Sequence, residues 1–189
     1  MADSNILISN TSSDQISIDP TNISGATGTP PPTSDLEWYF IQLVNDDRAA
    51  AGVGPVTLDA HLQTAAASHT AWMTANGIAS HIESGIQPMT MDQIPARMTA
   101  AGYDGQYMAE NIWWTSISGP LDQAVAQQLE QSLMNDPPHA ANILNPAYTD
   151  IGLSLGTGVI DGFNAAFVTQ DFGTPTANET GPRWDVGTI

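Results

Sequence analysis

Residues 150–173 set the strongest limit on the fold. "DIGLSLG" (150–156) and "AAFVTQDFG" (165–173) are apolar, strand-like segments with Asp161-Gly162 between them. An Asp-Gly pair supplies the positive φ that a tight hairpin turn needs. The two segments are therefore expected as neighbouring antiparallel strands. "YMAENIWW" (107–114) is a third strand candidate.

The rest of the chain ahead of the hairpin is mainly helical in pattern. Ser34 or Asp35 can cap a first helix in which Leu36, Phe40, Leu43 and Val44 recur at helical spacing, and Gly52 stops it. "PVTLD" is extended, and Asp59 caps a second helix that Gly77 ends. Leu62, Ala65, Ala66, His69, Trp72 and Met73 share one face of it. A third helix is expected from about Met91 to Ala100, with Pro95 in its first turn. A fourth is expected from Pro120 to about Met134. Helices ahead of an antiparallel hairpin indicate an α+β class rather than a parallel doubly wound sheet. Residues 1–34 are rich in Ser, Thr, Asn, Asp and Pro and read as a flexible N-terminal arm ending in the stiff "TPPPTS". Residues 35–173 form the expected domain, and residues 174–189 return to loop composition as a C-terminal tail.

Charge narrows the partners. Twenty acids face three arginines (Arg48, Arg97, Arg183) and no lysine, for a formal net charge of −17. Such a chain repels phosphate backbones and anionic membrane surfaces, so no nucleic acid is expected as a partner. No transmembrane segment is visible, and no Sec-type signal precedes the first basic residue, Arg48. With no cysteine there is no disulfide framework, thiol nucleophile or cysteine-ligated zinc. A monomer is expected.

Four segments, in order, carry a family resemblance: "LVNDDRAAAGVGPVTLDAHLQTAAASHTAWMTANGIASH", "AAGYDGQYMAENI", "NDPPHAANILNPAYTDIGLSLG" and "FVTQDFG". Together they resemble a bacterial, cysteine-free member of the CAP superfamily, also called SCP-like, which includes cysteine-rich secretory proteins, insect antigen 5 and plant pathogenesis-related class-one proteins. The resemblance spans about residues 36–173. It implies an α-β-α sandwich with a small antiparallel sheet between helical layers, secretion to the extracellular space, and a cleft lined by histidines and glutamates. On the matching motifs it places His81, Glu110 and His139 in that cleft. Two family positions differ: Ala147 stands where eukaryotic members carry a histidine, and Leu133 where a tryptophan is common.

Read as chemistry, two imidazoles and a carboxylate suit several tasks. His81, Glu110 and His139 are candidate ligands for a weakly held divalent cation, zinc first, with water completing the shell. They equally suit a general acid–base pair or a hydrogen-bond network joining three elements. No nucleophile accompanies them: G-x-S-x-G, H-E-x-x-H and a Gly-rich phosphate loop are all absent from the sequence. The leading expectation is a secreted binding or interaction module holding a small ligand, a lipid, a protein or a cation. The alternatives are a metal-dependent peptidase or esterase with Glu110 as base, and a scaffold domain of a larger exported protein. His69 is expected buried and hydrogen-bonded, His61 exposed, and Trp113 and Trp114 on opposite faces of their strand. Asn142 is expected to bond backbone after His139.

Mutual repulsion among the acids should make stability depend on salt. The melting temperature is expected to rise between about 0.01 M and about 1 M salt, as the Debye length falls from about 30 Å to about 3 Å. An unchanged midpoint would reduce the acid excess to a solubility feature.

Overall fold

The computed structural model describes residues 33–189. The expected N-terminal arm therefore lies almost wholly outside the described residues. In chain order the elements are α1 (Asp35–Ala50), β1 (Thr57–Asp59), α2 (Ala60–Asn76), α3 (Gln93–Ala100), β2 (Gly105–Ser116), α4 (Gln123–Asn135), α5 (Pro137–Ile143), β3 (Asp150–Ile160), β4 (Phe163–Pro175) and β5 (Arg183–Asp185). The five strands form one sheet in the order β2-β4-β3-β1-β5.

The hairpin is as expected, and longer. β3 and β4 pair antiparallel from Asp150↔Gly173 to Ile160↔Phe163. Asp161 (φ 52°) and Gly162 (φ 83°) make the turn, both in the left-handed region. β2 adds to β4, also antiparallel, with Glu110 opposite Asp171. The sheet is not purely antiparallel, because β1 runs parallel to β3. Residues 174–189, expected as a tail, supply β5, which pairs with β1. Trp184 and Val186 are buried with the main core. Three residues are too few to show a strand period in sequence, so this edge is decided by tertiary pairing.

Strand alternation divides the molecule into three layers. From β4, Ala166, Val168 and Phe172 join Phe40, Ile41 and Val44 of α1, Leu129 and Leu133 of α4, and Ile143 of α5. On the other face, Ala165 and Phe167 join Met73 of α2, and Leu62 and Ala65 pack on Ile94 and Met98 of α3. Helix α2 approaches the sheet at backbone distance. A Cβ on Gly152 would lie 2.1 Å from the Leu62 carbonyl carbon, which explains the glycine spacing in "GLSLGTG".

The helix ends follow their caps. Ser34 and Glu37 form a capping box at α1, and Glu37 Oε1 also accepts from Leu155 N at 3.0 Å, fixing α1 to β3. Asp59 Oδ1 caps α2 through His61 N and Leu62 N. Gly77 closes α2 at φ 62°. Arg48 is 1% exposed and donates to the carbonyls of Gly54, Ile143, Asn145 and Tyr148. One guanidinium thus ties α1 to the end of α5 and the turn before β3.

Glu130 of α4 is buried against β4. Its Oε2 accepts from Gln170 Nε2 at 2.9 Å, and Oε1 has no partner. Burial, with a contribution from Asp47, pushes its carboxyl up to about 8. The unfolded chain sheds this proton near pH 4.5 and the folded chain keeps it, so stability is lost as pH rises between those values. Glu130→Gln is expected to raise the melting temperature by several degrees at pH 8.5 and to leave it unchanged at pH 4.5. Equal effects at both pH values would show that Glu130 is not held neutral.

Candidate functional site

Glu110 sits at the centre of a buried polar cluster between β2 and the α2–α3 layer. Met108, Ile112 and Trp114 of the same strand pack toward this layer, and alternation sends Glu110 with them. Its Oε1 lies 2.8 Å from His81 Nδ1 and 3.7 Å from His69 Nε2. Its Oε2 accepts from Arg97 Nη2 at 2.6 Å. Arg97 also donates to the His81 carbonyl at 3.1 Å, so one side chain positions both members of the pair. Behind them, His69 Nδ1 meets Glu83 Oε1 at 2.8 Å, and Arg97 Nε lies 3.8 Å from the same oxygen.

Exposure grades across the cluster. The Glu110 and His69 side chains are 0% exposed, Glu83 9%, Arg97 13% and His81 27%. His81 is the member that meets solvent. Trp72 stacks on His69 with ring centroids 5.9 Å apart, closing the inner side.

Electrostatics assigns the protons. Burial alone would raise the Glu110 carboxyl. The bond from His81, the neighbouring His69 and the Arg97 guanidinium outweigh it and hold the group below its ordinary range. Asp171, opposite Glu110 in the sheet, is held well above its ordinary range by burial and by the Glu110 carboxylate. Two acids side by side in the interior therefore divide the roles, Glu110 charged and Asp171 neutral.

His139 does not join this cluster. Its carbonyl accepts from Asn111 Nδ2 at 3.0 Å, and its ring stands edge-on to Trp113 at 5.5 Å. Asn111 and Trp113 alternate with Glu110 on β2, so His139 lies on the opposite face of the sheet. There its Nδ1 bonds the Asp136 carboxylate at the start of α5. Asn142 Nδ2 donates to Asn111 Oδ1 at 2.8 Å rather than to backbone, and Asn111 continues to Gln170 and so to Glu130. The three residues expected to share one cleft are thus divided: His81 and Glu110 meet, and His139 belongs to a second network. Among the described residues, neither His81 nor His139 belongs to a group of three His, Asp or Glu ligand atoms within 4.8 Å of one another.

Sequence reasoning placed His69 correctly and missed Arg97, Glu83 and Asp171. One signal existed for Arg97. In a chain with three basic side chains, an arginine at half-buried helical spacing is a candidate partner for an interior acid. His61 was expected exposed; its side chain is 28% exposed and pairs with Glu179. Trp113 and Trp114 do face opposite sides, and each is half-buried beneath a helical layer.

The family described as "CAP: Cysteine-rich secretory protein family" matches residues 41–172. The chain belongs to the CAP family. Among solved structures it is similar to an extracellular SCP-domain protein of Bacillus anthracis (24% identity, TM-score 0.54), covering 73% of this chain and 40% of that one. It is similar to an outer surface protein of Borrelia burgdorferi (15% identity, TM-score 0.54), covering 72% and 90%. It is also similar to a structure described as NaASP2 with Zn2+ (12% identity, TM-score 0.50), covering 82% and 86%. The chain thus spans less than half the length of the Bacillus anthracis protein. No protein of curated function matches it by sequence. These likenesses agree with the α-β-α sandwich of CAP domains seen here. Among the described residues no helix is long and apolar enough to cross a membrane.

Removing Arg97 leaves Glu110 charged and buried with one strong partner gone. Arg97→Met is expected to cost about 3 kcal/mol in urea unfolding at pH 7. Arg97→Lys should recover part of this, since an ammonium restores charge but cannot fork between Glu110 and the His81 carbonyl. A loss below about 0.5 kcal/mol, the size of a surface change, would show the cluster carries no structural weight.

Proposed function

We propose that this CAP domain is a secreted binding module and not a hydrolase. One observation carries the reading: both oxygens of Glu110 are engaged, one by Arg97 and one by His81. A general base needs a free lone pair aimed at a substrate water and a proton affinity near the working pH. Glu110 meets neither condition: its side chain is 0% exposed, out of reach of a substrate water, and His81, His69 and Arg97 hold its carboxyl below the ordinary range. Among the described residues, no serine or threonine hydroxyl hydrogen-bonds the His69, His81 or Glu110 side chain.

What the cluster offers is a rigid floor with one solvent-facing imidazole, His81, fixed by Glu110 behind it. This suits recognition of a small ligand, a lipid head or a protein side chain through His81. A cation here would draw on His81 and Glu110, with no third His, Asp or Glu ligand atom gathered beside them among the described residues. It would have to compete with the Arg97 guanidinium for Glu110, so such binding would be weak. Support for a cation in a CAP fold comes from the similar NaASP2 structure described with Zn2+. Support for an extracellular setting comes from the similar proteins of Bacillus anthracis and Borrelia burgdorferi, described as extracellular and outer-surface. The acidic surface fits that setting and disfavours nucleic acid.

The test compares the parent with Glu110→Gln on chromogenic esters and on a fluorescent casein substrate, with and without added zinc. No turnover above buffer is expected from either protein. Turnover in the parent that disappears in Glu110→Gln would establish the hydrolase reading instead.

A further inference from the structure

A second cluster lies at the other end of the sheet. Asp59 stands at the junction of β1 and α2, His61 in the first turn of α2, and Glu179 in the loop ahead of β5. Each contributes one ligand atom, and the three atoms lie within 4.8 Å of one another. We propose that Asp59, His61 and Glu179 bind a divalent cation of the zinc class, at a site separate from the His81–Glu110 cluster.

The residues are arranged around a common point. Asp59 uses Oδ1 to cap α2, and its Oδ2 is buried without a hydrogen-bond partner although the residue is 0% exposed. Glu179 is held by the backbone N–H groups of Asp104 and Gly181, and its Oε1 lies 3.0 Å from His61 Nδ1. Gly181 completes the cradle. The position where its side chain would begin is 2.8 Å from His61 Nδ1, 2.9 Å from Asp59 Oδ2 and 2.9 Å from Glu179 Oε1. With no side chain on Gly181 to crowd them, one nitrogen and two carboxylate oxygens within 4.8 Å of one another can close on a zinc ion at roughly 2.0–2.2 Å. An imidazole among so few ligands favours zinc-class ions over calcium, which takes six to eight oxygens.

Charge agrees with geometry. Arg183 Nε is 3.5 Å from Asp59 Oδ2 and its Nη2 is 3.1 Å from Asp150 Oδ2. Three carboxylates (Asp59, Asp150, Glu179) and one guanidinium leave two negative charges, which a divalent ion offsets. The ion would replace the contact between His61 Nδ1 and Glu179 Oε1. It would also clip the segment carrying β5 to the start of α2, joining residues far apart in sequence.

The test is calorimetric titration of the full chain with zinc chloride, read beside the melting temperature. The parent is expected to bind one zinc and to melt higher with it. Losing even an outer-shell partner of a metal ligand costs about 10- to 100-fold in affinity, so His61→Ala should weaken binding by at least that much. His61 is partly exposed and its loss should not unfold the chain. Gly181→Ala places a methyl against all three ligand atoms, pushing them apart without changing a ligand, and Gly181 has no positive φ to forbid it. It should abolish binding with its circular dichroism unchanged. A parent that binds no zinc overturns the proposal, as does binding that survives both His61→Ala and Gly181→Ala. Binding lost in His81→Ala but kept in His61→Ala would place the ion in the first cluster and overturn this assignment while supporting that one.

Discussion

Scarcity of positive charge governs the interior of this protein. The chain has three guanidinium groups and no ammonium side chain. None of the three is left to the surface as a free cation. Arg48 gathers four carbonyls where α1, α5 and the approach to β3 meet. Arg97 holds Glu110 and the His81 carbonyl. Arg183 stands between Asp59 and Asp150. Each lies beside buried or half-buried acceptors that are costly to leave without a cationic partner. The acidic exterior is the other side of the same distribution.

The division of the site follows from the pleat. Glu110 and Asn111 are adjacent in sequence, and a strand sends adjacent side chains to opposite faces. Glu110 therefore meets α2, α3 and the loop carrying His81. Asn111 meets His139 and Asn142 of α5, and Gln170 beside it on β4. The family resemblance implied one cleft for Glu110 and His139. Parity along "AENIWW" was legible. What was not legible was which face of the sheet α5 covers. That depends on α1 and α4 closing the main core beside it.

Other parts of the structure show the same limit. The caps at Ser34, Asp59 and Gly77 and the turn at Asp161-Gly162 are local, and local chemistry announced them. The pairing of β1 with both β3 and β5 is non-local. The paired stretches there are only two or three residues long, and β1 and β5 are too short to show a period. Arg97, Glu83 and Asp171 were missed for a related reason. Each is an ordinary polar residue in its own segment, and becomes a site member only when α3, the loop after α2, and β4 converge on Glu110.

The interior acids resolve into a pattern of paired carboxyls with unlike fates. Glu110 beside Asp171 is ionised because it has Arg97 and His81; Asp171 has only burial and a negative neighbour, and stays protonated. Asp150 is raised to about 6 by burial, even with Arg183 at hand. Glu110 stabilises the fold above its unfolded pKa and loses that contribution as pH falls. Asp171, Glu130 and Asp150 act in the opposite sense, each favouring the fold at low pH and opposing it as pH rises. These opposed slopes cost stability at both ends, through loss of Glu110's charge as pH falls and forced ionisation of the others as it rises. They also mean that the folded chain near pH 7 carries less charge than its composition gives. Every buried carboxyl that keeps its proton removes one unit from the repulsion that the exterior must bear.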